Sequence, residues 1–157
     1  MEIFNNKNIL VTGGLGFIGS NITKYFIENN SNVKIIIIDK DEDLSLYNKD
    51  ELNYLTIIKQ NINNVNLEKI VEDNNIKYIF HMAGNVDTTI TDKDYMFENN
   101  SKSFDDLINI SVLKDIPLVY ASSCTVYGKT NEISIVGKNE VPTTCYGESK
   151  LLMDEKT

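Results

Sequence analysis

The sequence predicts an α/β fold, a parallel sheet doubly wound with helices on both faces. Three observations predict it. Short β-rich runs alternate along the chain with segments whose apolar residues fall at helical spacing. One run, Val33–Ile38, is almost continuously aliphatic, the mark of a strand buried on both faces. A glycine-rich turn follows the first run at once and opens the first helical segment. Strands alternating with helices indicate a parallel sheet, and right-handed crossovers make it doubly wound.

The elements follow in order. Asn8–Val11 is a first strand, and from Phe17 the apolar residues Ile18, Ile22, Tyr25 and Phe26 mark a helix. Val33–Ile38 is the second strand, Tyr54–Ile58 the third, and Leu67–Val71 a short helix. Tyr78–Met82 is the fourth strand. Phe104, Leu107, Ile108 and Ser111 form the buried stripe of a longer helix, Pro117–Ala121 is the fifth strand, and a further helix begins at Tyr146. The Asn-rich patches 61–66 and 74–75 are each a few residues long and lie between apolar segments, so they are turns and not linkers. No strand follows the last helix, whereas a doubly wound dinucleotide fold normally carries a sixth. The expectation is one unit over 1–157 that stops before a substrate domain, as a fragment or a natural truncation.

Composition narrows the function. The 157 residues are about one domain's length, and 41% hydrophobic residues supply a core. The balance of 15 cations against 23 carboxylates, net -8, argues against a nucleic-acid surface. All the cations are Lys, so bidentate guanidinium clamps are ruled out. The longest aliphatic run is far too short to span a membrane, and the N-terminus lacks the pattern of a signal peptide. Two cysteines without short spacing fit neither a disulfide framework nor a zinc site. A soluble, cytoplasmic protein is expected, with no metal, nucleic acid or membrane partner.

The turn Gly13-Gly14-Leu15-Gly16-Phe17-Ile18-Gly19 lies at the first strand–helix junction, and Asp39 ends the next strand twenty positions after Gly19. Gly13 allows the tight turn, Gly16 admits a pyrophosphate to the backbone, and Gly19 lets the helix pack closely on the sheet. The N–H groups of Phe17 and Ile18 then face phosphate oxygens, aided by the helix dipole. This is the dinucleotide fingerprint of a Rossmann-like sheet. A carboxylate at Asp39 accepts ribose hydroxyls and repels a 2′-phosphate, which favours NAD over NADP.

Tyr146 and Lys150 stand at i and i+4, on one helix face. A free phenol titrates near ~10, and a cation roughly 5 Å away contributes on the order of 3 kcal/mol, about two pKa units. That moves Tyr146 toward a working acid/base. The fifth strand ends in Ser122 and Ser123, and ligands of such sheets bind beyond the strand ends, so Ser123 is placed to hydrogen-bond a substrate oxygen.

Taken together, TGGLGFIGS, Asp39, His81-Met82-Ala83-Gly84, Tyr120–Ser123, Val126-Tyr127-Gly128 and Tyr146–Lys150 resemble the extended short-chain dehydrogenase/reductase family, NAD-dependent nucleotide-sugar epimerases and dehydratases. The resemblance runs over the whole chain but over only the amino-terminal half of a typical member. Thr88-Thr89, Asp94-Tyr95-Met96, Glu98-Asn99-Asn100 and Ile116-Pro117 look most like ADP-glyceromanno-heptose 6-epimerases, and UDP-glucose 4-epimerases share most of the same motifs.

The resemblance implies that Gly13, Gly16, Phe17, Ile18 and Gly19 hold the pyrophosphate and Asp39 the adenosine ribose. Asn61 and Ile62 match an adenine-contacting pair, although many relatives carry Asp where this chain has Asn61. Met82, Ala83 and Gly84 would line the cofactor cleft, supported by Asn100 from the following helix. Tyr146 and Lys150 would be catalytic and also touch the cofactor, with Ser123 positioning the sugar hydroxyl.

Similar dehydratases carry Asp and Glu where this chain has Cys124 and Thr125, so elimination lacks its acid and epimerisation of a nucleotide-sugar is favoured. A dehydratase or reductase of the same family, and a non-catalytic NAD-binding module, are the alternatives. His81 and Cys124 are expected to be structural, Cys124 as a small buried side chain, and Cys145 to stay reduced. Relatives form homodimers through the helix near Phe104 and the one after Tyr146. Most nucleotide and sugar contacts in relatives come from the other half, so cofactor binding without useful turnover is expected of these residues alone.

Overall fold

The computed structural model describes residues 3–157. Five strands form one parallel sheet: β1 (Asn8–Thr12), β2 (Lys34–Asp39), β3 (Leu55–Lys59), β4 (Tyr78–His81) and β5 (Leu118–Tyr120), in the order β3-β2-β1-β4-β5. The chain winds outward from β1 to β3, then returns to lay β4 against the other side of β1. β1 and β4 therefore flank the point at which the winding reverses, where ligands of open α/β sheets bind. Thr12 pairs with both Ile38 and His81, Asp39 with Lys59, and His81 with Tyr120. The carboxyl ends of all five strands thus come out on one edge.

The connecting helices are α1 (Phe17–Asn29), α2 (Lys49–Leu52), α3 (Leu67–Asp73), α4 (Lys93–Asn100) and α5 (Lys102–Lys114), with α6 (Cys145–Asp154) after β5. Short 3-10 turns cover Ile62–Asn64 and Cys124–Tyr127. Right-handed crossovers put α1 and α2 on one face of the sheet, and α3 with the end of α5 on the other. On the α1 face Ile9, Val11, Ile35 and Ile37 pack with Phe26 and Leu15. Phe4, Phe26 and Phe80 stack there with centroids 4.7–6.1 Å apart, in the tilted and edge-on arrangements aromatic rings prefer. The alternate residues Leu10, Ile36 and Ile79 are equally buried, so the central strands have two covered faces. Across the second face Lys114 of α5 ion-pairs with Glu68 and Glu72 of α3.

The chain separates into two compact units. The first, 1–83 with 109–120, holds the whole sheet with α1, α2 and α3. The second, 84–108 with 121–157, holds α4, most of α5 and α6. In the second unit Met96, Phe104, Leu107, Val126 and Met153 are buried, and Lys93 of α4 pairs with Glu148 of α6.

The predicted strands and four predicted helices stand within a residue or two of their expected places. Two helices went unpredicted. α2 is a single turn, closed by a capping box between Asn48 and Glu51. α4 buries only Met96 and Asn100, so its sequence carries hardly any apolar stripe. No helix among the described residues is long and apolar enough to cross a membrane.

Candidate functional site

The first unit brings the glycine turn, Asp39 and the end of β4 together. Gly13 has φ +70°, in the left-handed region, and a Cβ there would lie 2.6 Å from the Ala83 nitrogen. Only glycine satisfies both conditions. A Cβ on Gly19 would stand 2.2 Å from the Gly13 carbonyl oxygen, so α1 can approach the turn only because position 19 is bare. Gly16 is the N-cap of α1 and is open on its outer side, where an added Cβ would meet nothing nearer than the Gly13 carbonyl at 3.4 Å.

The N-terminus of α1 differs from those of the other helices. Side chains cap α2, α3, α4 and α6, and each of these has an acidic residue in its first turn, as α5 does. α1 has neither a side-chain cap nor a carboxylate there. Its unsatisfied N–H groups and the positive end of its dipole therefore face outward uncompensated, which is what an anion requires. Gly16, Phe17 and Ile18 are exposed, Phe17 by 82%, at a turn that is otherwise well packed. A dinucleotide's diphosphate fits this cradle: open glycine, uncapped amides and no carboxylate in the first turn of the helix.

Asp39 stands beside it. Its Oδ2 accepts from the Leu15 N–H at 2.9 Å and its Oδ1 from the Asp41 N–H at 3.0 Å. Each oxygen keeps lone-pair capacity for a ribose hydroxyl. Met82 and Ala83 continue β4, held through their N–H groups by the carbonyl and hydroxyl of Thr12. Asn61 caps the 3-10 turn by accepting from Asn63, and Ile62 is buried beneath it, so both have local structural roles after β3. His81 is buried with Nδ1 2.7 Å from the Thr12 hydroxyl.

The second unit gathers the remaining predicted residues. Asn100 is buried and holds the backbone of Asn85 at both its N–H and its carbonyl, while its amide also donates to Ser149 on α6. A Cβ on Gly84 would lie 3.2 Å from the Asn100 carbonyl oxygen and 3.6 Å from the Lys150 ammonium. Gly84, Asn100 and Lys150 are thus immediate neighbours. Thr144 caps α6, and the bare Gly147 lets that helix sit against the Thr125 carbonyl. Tyr146 is half-buried on the first turn, and Lys150 is buried one turn later. Burial pushes the Lys150 ammonium below its ordinary value, partly opposed by the Asp154 carboxylate. Ser123 is half-buried, and its oxygen accepts from both the N–H and the hydroxyl of Thr125.

One expectation is corrected. Cys124 is exposed, not a buried filler, because the strand ends at Tyr120 and a 3-10 turn carries the thiol outward. Two polar contacts beside the site were not foreseen. The Tyr47 hydroxyl donates to the Gly14 carbonyl at 2.6 Å, and Ser122 donates to Asp154 at 2.6 Å. The second had a signal, since Asp154 follows Lys150 at i+4. The first had none, because it depends on how the loop after β2 returns.

Residues 9–157 match the NAD dependent epimerase/dehydratase family. The chain is 37% identical over 150 residues to the ADP-L-glycero-D-manno-heptose-6-epimerase of Brachyspira hyodysenteriae, covering 93% of this chain and 46% of that one. The structure of the Helicobacter pylori ADP-L-glycero-D-manno-heptose-6-epimerase is similar, with TM-score 0.82 and 38% identity over 98% of this chain and 51% of that one. So is the UDP-N-acetylglucosamine 4-epimerase of Methanobrevibacter ruminantium, with TM-score 0.82 and 31% identity over 95% and 48%. The chain spans about half the length of the relatives it matches.

Proposed function

We propose, for a chain that belongs to the NAD dependent epimerase/dehydratase family, that it is the cofactor-binding half of a nucleotide-sugar epimerase. Its likeness to heptose 6-epimerases supports that branch of the family. One observation carries the cofactor reading: α1 begins at an open glycine with neither a cap nor a carboxylate, beside an acidic strand end.

Gly13, Gly16, Phe17, Ile18 and Gly19 would hold the diphosphate, and Asp39 the adenosine ribose. Asn61 and Ile62 would bound the adenine, and Met82, Ala83 and Gly84 would line the cleft, with Asn100 fixing the segment after Gly84. NAD held by these residues would supply a hydride acceptor and donor for a sugar carbon. Tyr146 takes the hydroxyl proton and gives it back. Lys150 presents a desolvated ammonium one turn away on the same helix face, where it would orient the reacting groups. Ser123 positions the sugar hydroxyl. Cys124 and Thr125 occupy the places where similar dehydratases carry carboxylates, which supports epimerisation over elimination.

Cofactor choice tests this reading at Asp39. NAD is expected to bind more tightly than NADP, and Asp39→Ala to weaken NAD by about tenfold or more through loss of charge-assisted hydrogen bonds. Titration showing a preference for NADP, or an indifferent Asp39→Ala variant, would contradict it.

A further inference from the structure

The Gly14–Leu15 peptide is held at one end by the last residue of β2 and at the other by the loop that follows it. Its N–H donates to Asp39 Oδ2 at 2.9 Å, and its carbonyl accepts from the Tyr47 hydroxyl at 2.6 Å. Tyr47 is 6% exposed and belongs to the apolar cluster that contains Leu15, Val11 and Ile37. The Tyr47 N–H in turn bonds the Leu44 carbonyl, and the Asp41 N–H bonds Asp39, so the loop is braced at both of its ends. Burial raises the phenol's ionisation above its ordinary value, which keeps the hydroxyl a donor at neutral pH.

We propose that Tyr47 is a positioning residue for the dinucleotide, fixing the plane of the Gly14–Leu15 peptide and, through it, both the glycine turn and the Asp39 carboxylate. The inference rests on the NAD reading above. A glycine at 14 removes the restraint on ψ from one side of this peptide plane, so that only the φ of Leu15 opposes its rotation. Rotated by half a turn, the plane would point the Gly14 oxygen at the Asp39 carboxylate and the Leu15 N–H into the apolar cluster. Asp39 would be driven from its place, and the amides that follow at Phe17 and Ile18 would be displaced with the turn. The phenol adds to the restraint from Leu15 by satisfying the buried carbonyl in one orientation only. Diphosphate and ribose recognition, which look like two separate sites, thus depend on a single peptide unit. Asp39 at the end of β2 and Tyr47 in the loop after it are the two groups that set it.

Calorimetric titration of NAD into the whole chain and its Tyr47→Phe variant, at a temperature where both are folded, tests this. The variant removes no atom expected to touch the cofactor, yet Kd for NAD should rise about five- to tenfold, the worth of one buried hydrogen bond. ADP-ribose should weaken by the same factor, because the effect lies wholly on the adenosine diphosphate side. A lowered melting temperature with an unchanged Kd would assign Tyr47 a purely structural role and overturn the proposal. Hydrogen exchange on the unmodified protein needs no variant. The Leu15 amide should be strongly protected without ligand, and rapid exchange there would also overturn the proposal. A wild-type chain that binds no NAD would instead refute the underlying cofactor reading, so the two failures are told apart.

Discussion

Lys150 shows how a residue can be costly to the fold and still be retained. It is 4% exposed, and its ammonium is depressed by burial with only a partial offset from Asp154. A base lowered in the folded state binds fewer protons there than in the unfolded chain, so stability rises as pH climbs through the lowered value toward that of ordinary lysine. Below that window the full cost of burying the charge is present. Lys150→Met should therefore unfold at higher denaturant than wild type at pH 6, by about 1–2 kcal/mol. The gain should shrink toward pH 10, as the lowered ammonium gives up its proton in the native state. A variant less stable at both pH values would show that the lysine supports the fold and is not tolerated for its chemistry. The residues legible from sequence were those whose chemistry admits few substitutes. Gly13 and Gly19 are places where a Cβ collides with backbone, and Asp39 ends a strand at the fingerprint's spacing. Tyr47 was invisible because its partner is a carbonyl 33 residues away, reached only once β2 and its loop are in place.

Elements were legible in proportion to how continuous their burial is. β2 reads as a strand because Ile35–Ile38 are all covered, whereas α4 hides because its buried residues are a methionine and an asparagine. The abundant asparagines punctuate the fold. Asn48, Asn61 and Asn66 cap helical turns with their side-chain oxygens, and Asn6, Asn32, Asn75 and Asn139 sit at positive φ, where asparagine is among the better tolerated residues after glycine. Asn66 accepts from the Lys69 N–H at 2.9 Å at the head of α3. Removing it by Asn66→Ala should cost about 1 kcal/mol in equilibrium unfolding, with a smaller loss for Asn66→Asp, which keeps the acceptor. An Asn66→Ala protein of unchanged stability would mean that water replaces the cap at no cost.

For the whole molecule, a doubly wound parallel sheet with a strand buried on both faces follows from alternating patterns and handedness, whereas the order β3-β2-β1-β4-β5 and the reversal between β1 and β4 are read from the structure. The catalytic assignment had a different basis. Tyr146 and Lys150 acquire meaning only beside family resemblance, since a tyrosine and a lysine four apart are ordinary on helix surfaces. The chain spans about half the length of its relatives, and its matched portion carries the proposed cofactor residues. Cofactor affinity and sugar turnover are therefore separable here, the first expected of these 157 residues and the second not. The most direct measurement is calorimetric titration of NAD into the folded 157-residue protein, with turnover of an ADP-heptose or UDP-hexose followed in parallel. The account predicts saturable binding at one site per chain without sustained epimerisation. Absence of binding heat at several temperatures, from protein shown to be folded, would contradict it.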